Sequence, residues 1–217
     1  MLMDLHIHSH LSPCSRLPLR QILAQARCRG LDGVCLTDHG GRLALGQVRE
    51  GPQADGLVVL VGHEYATPQG DFLIFGDLEP LPAELNAASL LLAVEGQGGV
   101  AVAAHPFRPG RGLDPELGRL GLVRVIEGIN GRNPAGSNRQ ARQWAGQHGL
   151  SLVGGSDAHS LAELGGVATF FPYNIASQAE LVSALKAGHG QPRRLTLASP
   201  PPSLRQDQAG TTAPACL

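Results

Sequence analysis

A chain of 217 residues is long enough for a single α/β domain, and its 42% hydrophobic content supplies a sizeable core. A formal charge of -1, 4% aromatic residues and the lack of a basic stripe exclude a general polyanion binder and argue against long nucleic acid as a partner. No apolar run approaches the roughly 20 residues of a bilayer span, and Met1 is not followed by the basic and apolar blocks of a leader, so a soluble, cytoplasmic protein is expected.

Short runs rich in Val, Ile and Leu recur at residues 2–8, 33–38, 57–64, 72–76, 99–105, 122–130, 151–157 and 167–171. Near-continuous apolar runs suit strands buried on both faces of a parallel sheet. Between the first two, Pro18 followed by Leu19, Ile22, Leu23 and Ala26 has helical spacing, with Gly30 as its stop, which makes a β-α-β unit. Residues 137–149 and 177–188 read as later helices, the second opened by a capping box of Ser177 and Glu180 and closed by Gly188. After about residue 190 the composition turns to Pro, Ser, Gln and Thr, so residues 1–190 are expected to form the domain and 191–217 a flexible tail. So many repeats in under 200 residues predict a small or distorted parallel barrel, since a full-sized one needs about 250.

The polar residues gather at the ends of these runs. His6 and His8 stand two apart on an extended segment and share a face, which makes a metal-binding half-site. Asp157 and His159 repeat that spacing at another strand end, where Gly154 and Gly155 permit close backbone approach. His39 in TDHG and His105 in AHP add two more strand ends. A single HxH pair is weak evidence, but agreement at four strand ends of a parallel barrel, where active sites assemble, is not. His63 and Glu64 are adjacent and face opposite sides. Glu64 is the better inward candidate, because a carboxylate bridges two cations as a neutral imidazole cannot, and His63 then takes the helix-facing side. Mixed imidazole and carboxylate donors favour Mn, Fe or Zn. The four cysteines have neither a CxxC pair nor the regular spacing of a disulfide framework or zinc ribbon, so reduced thiols are expected.

DLHIHSH, TDHG, Gly62-His63-Glu64, AHP and GSDAH, in this order, closely resemble the motifs of the polymerase and histidinol phosphatase (PHP) family, over roughly residues 1–171. The resemblance implies a distorted (β/α)7 TIM-like barrel and a phosphoesterase with two or three divalent metal ions. It implies that His6, His8, Glu64 and Asp157 hold one metal, Glu64 and His105 a second, and His39 and His159 a third, with Asp157, His159 and Glu64 as the catalytic group. Two positions depart from relatives. Pro13 and Cys14 stand where some have a histidine or aspartate, leaving Cys14 open as a thiolate ligand or a packing residue. Asp71 stands near where relatives often have a histidine, either as an oxygen ligand or as a turn cap.

The expected reaction is hydrolysis of a small phosphorylated substrate, a phosphomonoester or nucleotide-type ester, by a metal-activated hydroxide. Arg108, Arg132 and Arg42 are candidate phosphate contacts, and His10 a candidate substrate contact; each is also readable as a solvated loop residue. Glu127 and Asn130 close a strand beside the site and are candidate supports for the ligands. Two rivals remain. One is an amidohydrolase-like hydrolase, restricted to glutamate-bridged forms because the sole lysine, Lys186, falls too late to serve as a mid-barrel bridge. The other is a metal-binding domain without turnover.

Overall fold

A computed structural model describes residues 1–196. In chain order the elements are β1 (Leu2–Ile7), α1 (Leu19–Ala26), β2 (Gly33–Leu36), β3 (Gly51–Pro52), β4 (Val58–Val61), β5 (His63–Thr67), β6 (Gly70–Phe75), α2 (Ala87–Gly96), β7 (Val100–Ala103), α3 (Glu116–Arg119), β8 (Val125–Asn130), α4 (Ala135–His148), β9 (Ser151–Gly155), β10 (Val167–Phe170), α5 (Gln178–Lys186) and β11 (Gln191–Arg194). Each of the eight apolar runs overlaps a strand. Pro18 enters α1, which buries Leu19, Ile22 and Ala26 on one face, and Gly30 at φ 78° ends the turn that follows. Ser177 caps α5 by accepting from the Glu180 N–H at 3.3 Å.

The strands form two sheets, ordered β11-β10-β1-β2-β4-β3 and β5-β6-β7-β8-β9. This α/β fold is mixed where a parallel sheet was expected. β1, β2 and β4 are parallel, as are β7, β8 and β9. The pairs β5/β6, β6/β7, β1/β10, β10/β11 and β3/β4 are antiparallel. The reason at β5/β6 is local: Pro68 and Gln69 alone separate Thr67 from Gly70, a connection that joins only antiparallel strands, whereas a parallel pair needs a crossover of about a dozen residues. Among the described residues neither ladder closes into a barrel. The two sheets meet at a seam. Ile7 bridges Ala158, and the Thr169 hydroxyl accepts from Gly154 N–H at 2.8 Å and donates to Gly154 C=O at 2.7 Å.

One apolar group lies between the sheets, taking Met3, Leu5 and Leu60 from the first and Leu73, Val102 and Val153 from the second, with Leu181 and Leu185 of α5 closing it. A second packs α1 on the first sheet through Ile22, Val34 and Val59. The third packs α2 and α4 on the second sheet through Leu90, Ile126 and Trp144. Each fully buried aliphatic side chain contributes about 1.5–3 kcal/mol, so three continuous groups account for a rigid frame under the strand ends.

Two expectations are corrected. Residues 191–194, placed in a flexible tail, form β11 against β10 because β10 would otherwise leave an open edge; residues 197–217 of that tail lie outside the described residues. The reduced-thiol reading holds for Cys14 and Cys35 but not for Cys28, which is not free, and Cys216 lies outside the described residues.

Candidate metal centre

His6 sits in β1 and His8 one residue beyond it. His39 follows β2, Glu64 is the second residue of β5, His105 follows β7, and Asp157 and His159 follow β9. All these ends converge. The donor atoms fall into four overlapping groups, each within 4.8 Å: His6, His8 and Asp157; His8, His39 and Glu64; Glu64, Asp71 and His105; and His8, Cys14 and His159. All nine candidate ligands are therefore brought together, including Cys14 and Asp71. The partition differs from the one the resemblance implies, because His39 and His159 fall in separate groups, each with His8.

Glu64 is the hub. Its Oε2 lies 2.9 Å from His8 Nε2 and 3.3 Å from the Nε2 atoms of both His6 and His39, while Oε1 lies 3.0 Å from His105 Nε2. The tautomers follow from the partners on the far side of each ring. His6 Nδ1 donates to Glu127 Oε1 at 3.0 Å, and His39 Nδ1 donates to the Glu64 carbonyl at 3.1 Å. In the neutral rings the Nε2 lone pairs point at carboxylate oxygens, and His6 Nε2 also faces His8 Nε2 at 3.0 Å. Lone pairs converging at such distances repel unless positive charge sits among them.

The titration behaviour reflects the same demand. Burial disfavours the His6 imidazolium, yet the charges of Asp157, Glu127 and Glu64 hold its pKa well above the ordinary value. Burial raises the Glu64 carboxyl, but His6 and the hydrogen bonds from His105, His6 and His8 hold it well below its ordinary value. Asp157 is likewise lowered: burial opposes ionisation, and His6 and Arg108 outweigh it. His8 is lowered by burial and by the His6 charge, which suits a neutral ligand. His105 Nδ1 is buried with no hydrogen-bond partner among the described residues. Oxygen and imidazole donors around a negatively charged hub fit a divalent transition metal.

The surroundings hold these donors rigidly. Glu127 Oε1 accepts from His6 Nδ1 at 3.0 Å, and its Oε2 accepts from the His105 N–H and from Asn130 Nδ2, each at 2.8 Å, so one carboxylate orients two candidate ligands. A β-carbon on Gly155 would meet His6 Cβ at 2.4 Å, so only glycine lets β9 approach β1 there. His105 at φ 31° and Asp157 at φ 56° are non-glycine residues in the left-handed region. That conformation costs roughly 1–2 kcal/mol per residue and persists where packing over-determines it, commonly at functional sites.

Of the predicted substrate contacts, Arg108 reaches the cluster, donating to Asn130 Oδ1 at 2.8 Å and pairing with Asp157. Arg132 lies over the edge, with Nη1 3.0 Å from His159 Nδ1, and also pairs with Glu163. Arg42 turns away to Val61 C=O and Glu50, and His10 is exposed. Three contributors went unread. Arg111 forms a two-pronged pair with Asp71 at 2.8 and 2.9 Å. Ser12 accepts from the His39 N–H at 2.8 Å. Asp4 accepts from the N–H groups of Ser156, His6 and Gly165, tying β1 to the segment after β9. For Asp4 a signal existed, since it lies two residues before His6 in the same motif; the loop residues Arg111 and Ser12 carry no periodicity.

A cleft of about 740 Å³ opens beside the cluster, lined by Leu45, His63, Tyr65, Leu78 and Leu81 and reaching His39 and Glu64. His63 does lie opposite Glu64, but on a face that lines this cleft rather than one sealed by a helix.

Two family models match. One described as "PHP domain" covers residues 4–101, and one described as "PHP-associated" covers residues 135–189. An uncharacterised protein of Methanocaldococcus jannaschii is 28% identical over 173 residues, 76% of this chain and 68% of that protein. Among solved structures, a two-domain protein from Bacteroides vulgatus containing a predicted PHP-like metal-dependent phosphoesterase aligns with TM-score 0.66 at 21% identity, over 90% of this chain and 65% of that one. A lesion-specific endonuclease from Pyrococcus furiosus aligns with TM-score 0.66 at 18% identity, over 86% of this chain and 56% of that one. At these identities the structural likenesses speak to the fold.

Proposed function

Because the chain belongs to the PHP family, we propose that it is a metal-dependent phosphoesterase acting on a small phosphorylated substrate, either a phosphomonoester or a nucleotide-type ester. The observation that carries the reading is the convergence of four imidazole Nε2 atoms on the single buried carboxylate of Glu64. On this reading His6, His8, Glu64 and Asp157 hold one divalent ion, with Asp71 and His105 extending the site on one side and His39, His159 and Cys14 on the other. Such ions, when bound, lower the pKa of water and offset charge on phosphoryl oxygens. The same reading takes the two sheets as parts of a distorted (β/α)7 TIM-like barrel, joined at the Thr169–Gly154 seam.

The side chains supply orientation. Arg108, steered by Asn130 and Asn133, points its guanidinium at the Asp157 edge, where a phosphoryl oxygen replaces a carboxylate as its partner. Arg132 sits at the solvent edge beside His159 and steadies a second oxygen. His159 Nδ1 donates to the Asp157 carbonyl at 2.9 Å, which leaves the Nε2 lone pair as its ligand atom. In the reaction a water oxygen bonds to phosphorus, the bond from phosphorus to the ester oxygen breaks, and one water proton ends on the departing alcohol.

The test pairs elemental analysis of protein purified without chelator with hydrolysis of p-nitrophenyl phosphate and its bis ester by wild type and Asp157→Ala. The expected outcome is more than one Mn, Fe or Zn ion per chain and turnover that falls to background in the variant. Metal-free protein that cannot be reconstituted overturns the reading. Full occupancy without turnover on either ester moves the weight to an amide substrate or a non-catalytic domain.

A further inference from the structure

The cleft beside the metal centre has a composition the centre does not explain. Its volume of about 740 Å³ lies in the range of small-molecule sites, roughly 300–1,000 Å³. Its inner end is formed by His39 and Glu64, which also belong to the metal cluster, so whatever fills the cleft is continuous with the reacting centre. Its walls are apolar: Tyr65 and Ile74 from β5 and β6, Leu78 and Leu81 from the segment after β6, and Leu45 from the opposite side. Leu45 is 43% exposed there, a large hydrophobic side chain with nothing covering it.

The charges around the cleft are spent or unfavourable to polyanions. Arg42 donates to Val61 C=O at 2.9 Å and to Glu50 at 2.8 Å, and Arg111 is held by both oxygens of Asp71. Glu79 and Glu84 stand exposed along the lining. A nucleic-acid strand needs unpaired cations along its path, and each lining arginine already has a carboxylate partner.

We propose that this cleft binds the leaving group of the phosphate ester and selects a compact apolar or aromatic alcohol over a polyanionic one. The inference rests on the phosphoesterase reading and specifies its substrate class: the phosphoryl group lies over Glu64, and the alcohol extends past His39 between Leu45 and Leu81. Burying a ring against these walls is worth about one to two decades in kcat/KM, as for other apolar pockets.

Benzyl phosphate and glycerol 3-phosphate are both primary alkyl monoesters, so their ratio of kcat/KM on Mn²⁺-loaded protein reads the cleft with little contribution from leaving-group basicity. The expected ratio is at least about tenfold in favour of benzyl phosphate, falling towards one in Leu45→Glu and Leu81→Glu. Leu45 is exposed enough that its variant keeps the fold, which a thermal melt checks. A ratio near one in wild type, a ratio that neither variant changes, or a 5′-phosphorylated oligonucleotide outcompeting benzyl phosphate overturns the proposal. If no phosphate ester turns over, the phosphoesterase reading has failed, and binding of benzyl alcohol followed by saturation-transfer NMR then decides the cleft alone. Binding that is lost in Leu45→Glu supports an apolar subsite, and no binding to wild type overturns it.

Discussion

His63 shows how one residue beside the centre sets a pH response. Burial, with His39 nearby, pushes its imidazole down to about 4, so the folded protein refuses a proton that the unfolded chain accepts below its ordinary value of 6.5. The stability this contributes is present above pH 6.5 and lost as pH falls from 6.5 towards 4. Asp4 works in the opposite sense. Burial pushes its carboxyl up to about 6, against the hydrogen bonds it accepts, so its contribution is present below its ordinary 3.8 and lost as pH rises through about 6. The two windows overlap, and a variant separates them. His63→Gln is expected to flatten the acid-side loss of stability by up to one proton between pH 4.5 and 7, read from urea midpoints. An unchanged slope would mean that His63 titrates normally in the folded state.

At the scale of elements, the seam between β9 and β10 depends on one hydroxyl. Thr169 is fully buried, and it satisfies both the N–H and the C=O of Gly154 where the two sheets meet outside their ladders. Thr169→Val keeps the shape and removes both bonds, leaving a buried donor and acceptor without partners. The expected loss is about 1–3 kcal/mol, measured by urea unfolding, with metal content unchanged because Thr169 touches no candidate ligand. A loss of metal without a loss of stability would show that the seam positions the centre instead of holding the sheets. The β5/β6 hairpin plays a different part, since its antiparallel return places Glu64 and Asp71 on neighbouring strands of one centre. Expecting only parallel strands missed this, because the apolar content of residues 57–64 and 72–76 reports burial and not direction.

For the molecule as a whole, the centre is a concentration of buried carboxylates whose repulsion the fold must offset. Glu64, Asp71, Asp157 and Glu127 are all buried, and Arg108 and Arg111 pair with two of them from a single loop after β7. On the proposed reading, bound divalent ions would complete that balance in the native state and gain little in the unfolded chain. At a free ion concentration about 100 times Kd, one such site adds about 2.7 kcal/mol, which for a chain of this size raises Tm by roughly 5–10 °C. Differential scanning fluorimetry with Mn²⁺ added after chelation is expected to show that rise, and Glu64→Gln to abolish it. No shift at saturating ion would count against an integral centre. Among the described residues no helix is long and apolar enough to cross a membrane.

The convergence of the candidate ligands was legible because its signal is local. His6 with His8, and Asp157 with His159, are pairs spaced by two at the ends of apolar runs, and chain geometry alone sends such pairs to one side and one end of a sheet. Glu127 and Asn130 could be placed beside them for the same reason. Tertiary structure alone decided how the donors divide into groups, that Arg108 meets Asp157 and Arg111 meets Asp71, and that a cleft runs from His39 past Tyr65. Those contacts join residues about 40 or more positions apart or arise from loops without periodicity. Their partners are set by strand register and the meeting of two sheets, which no short window of sequence encodes.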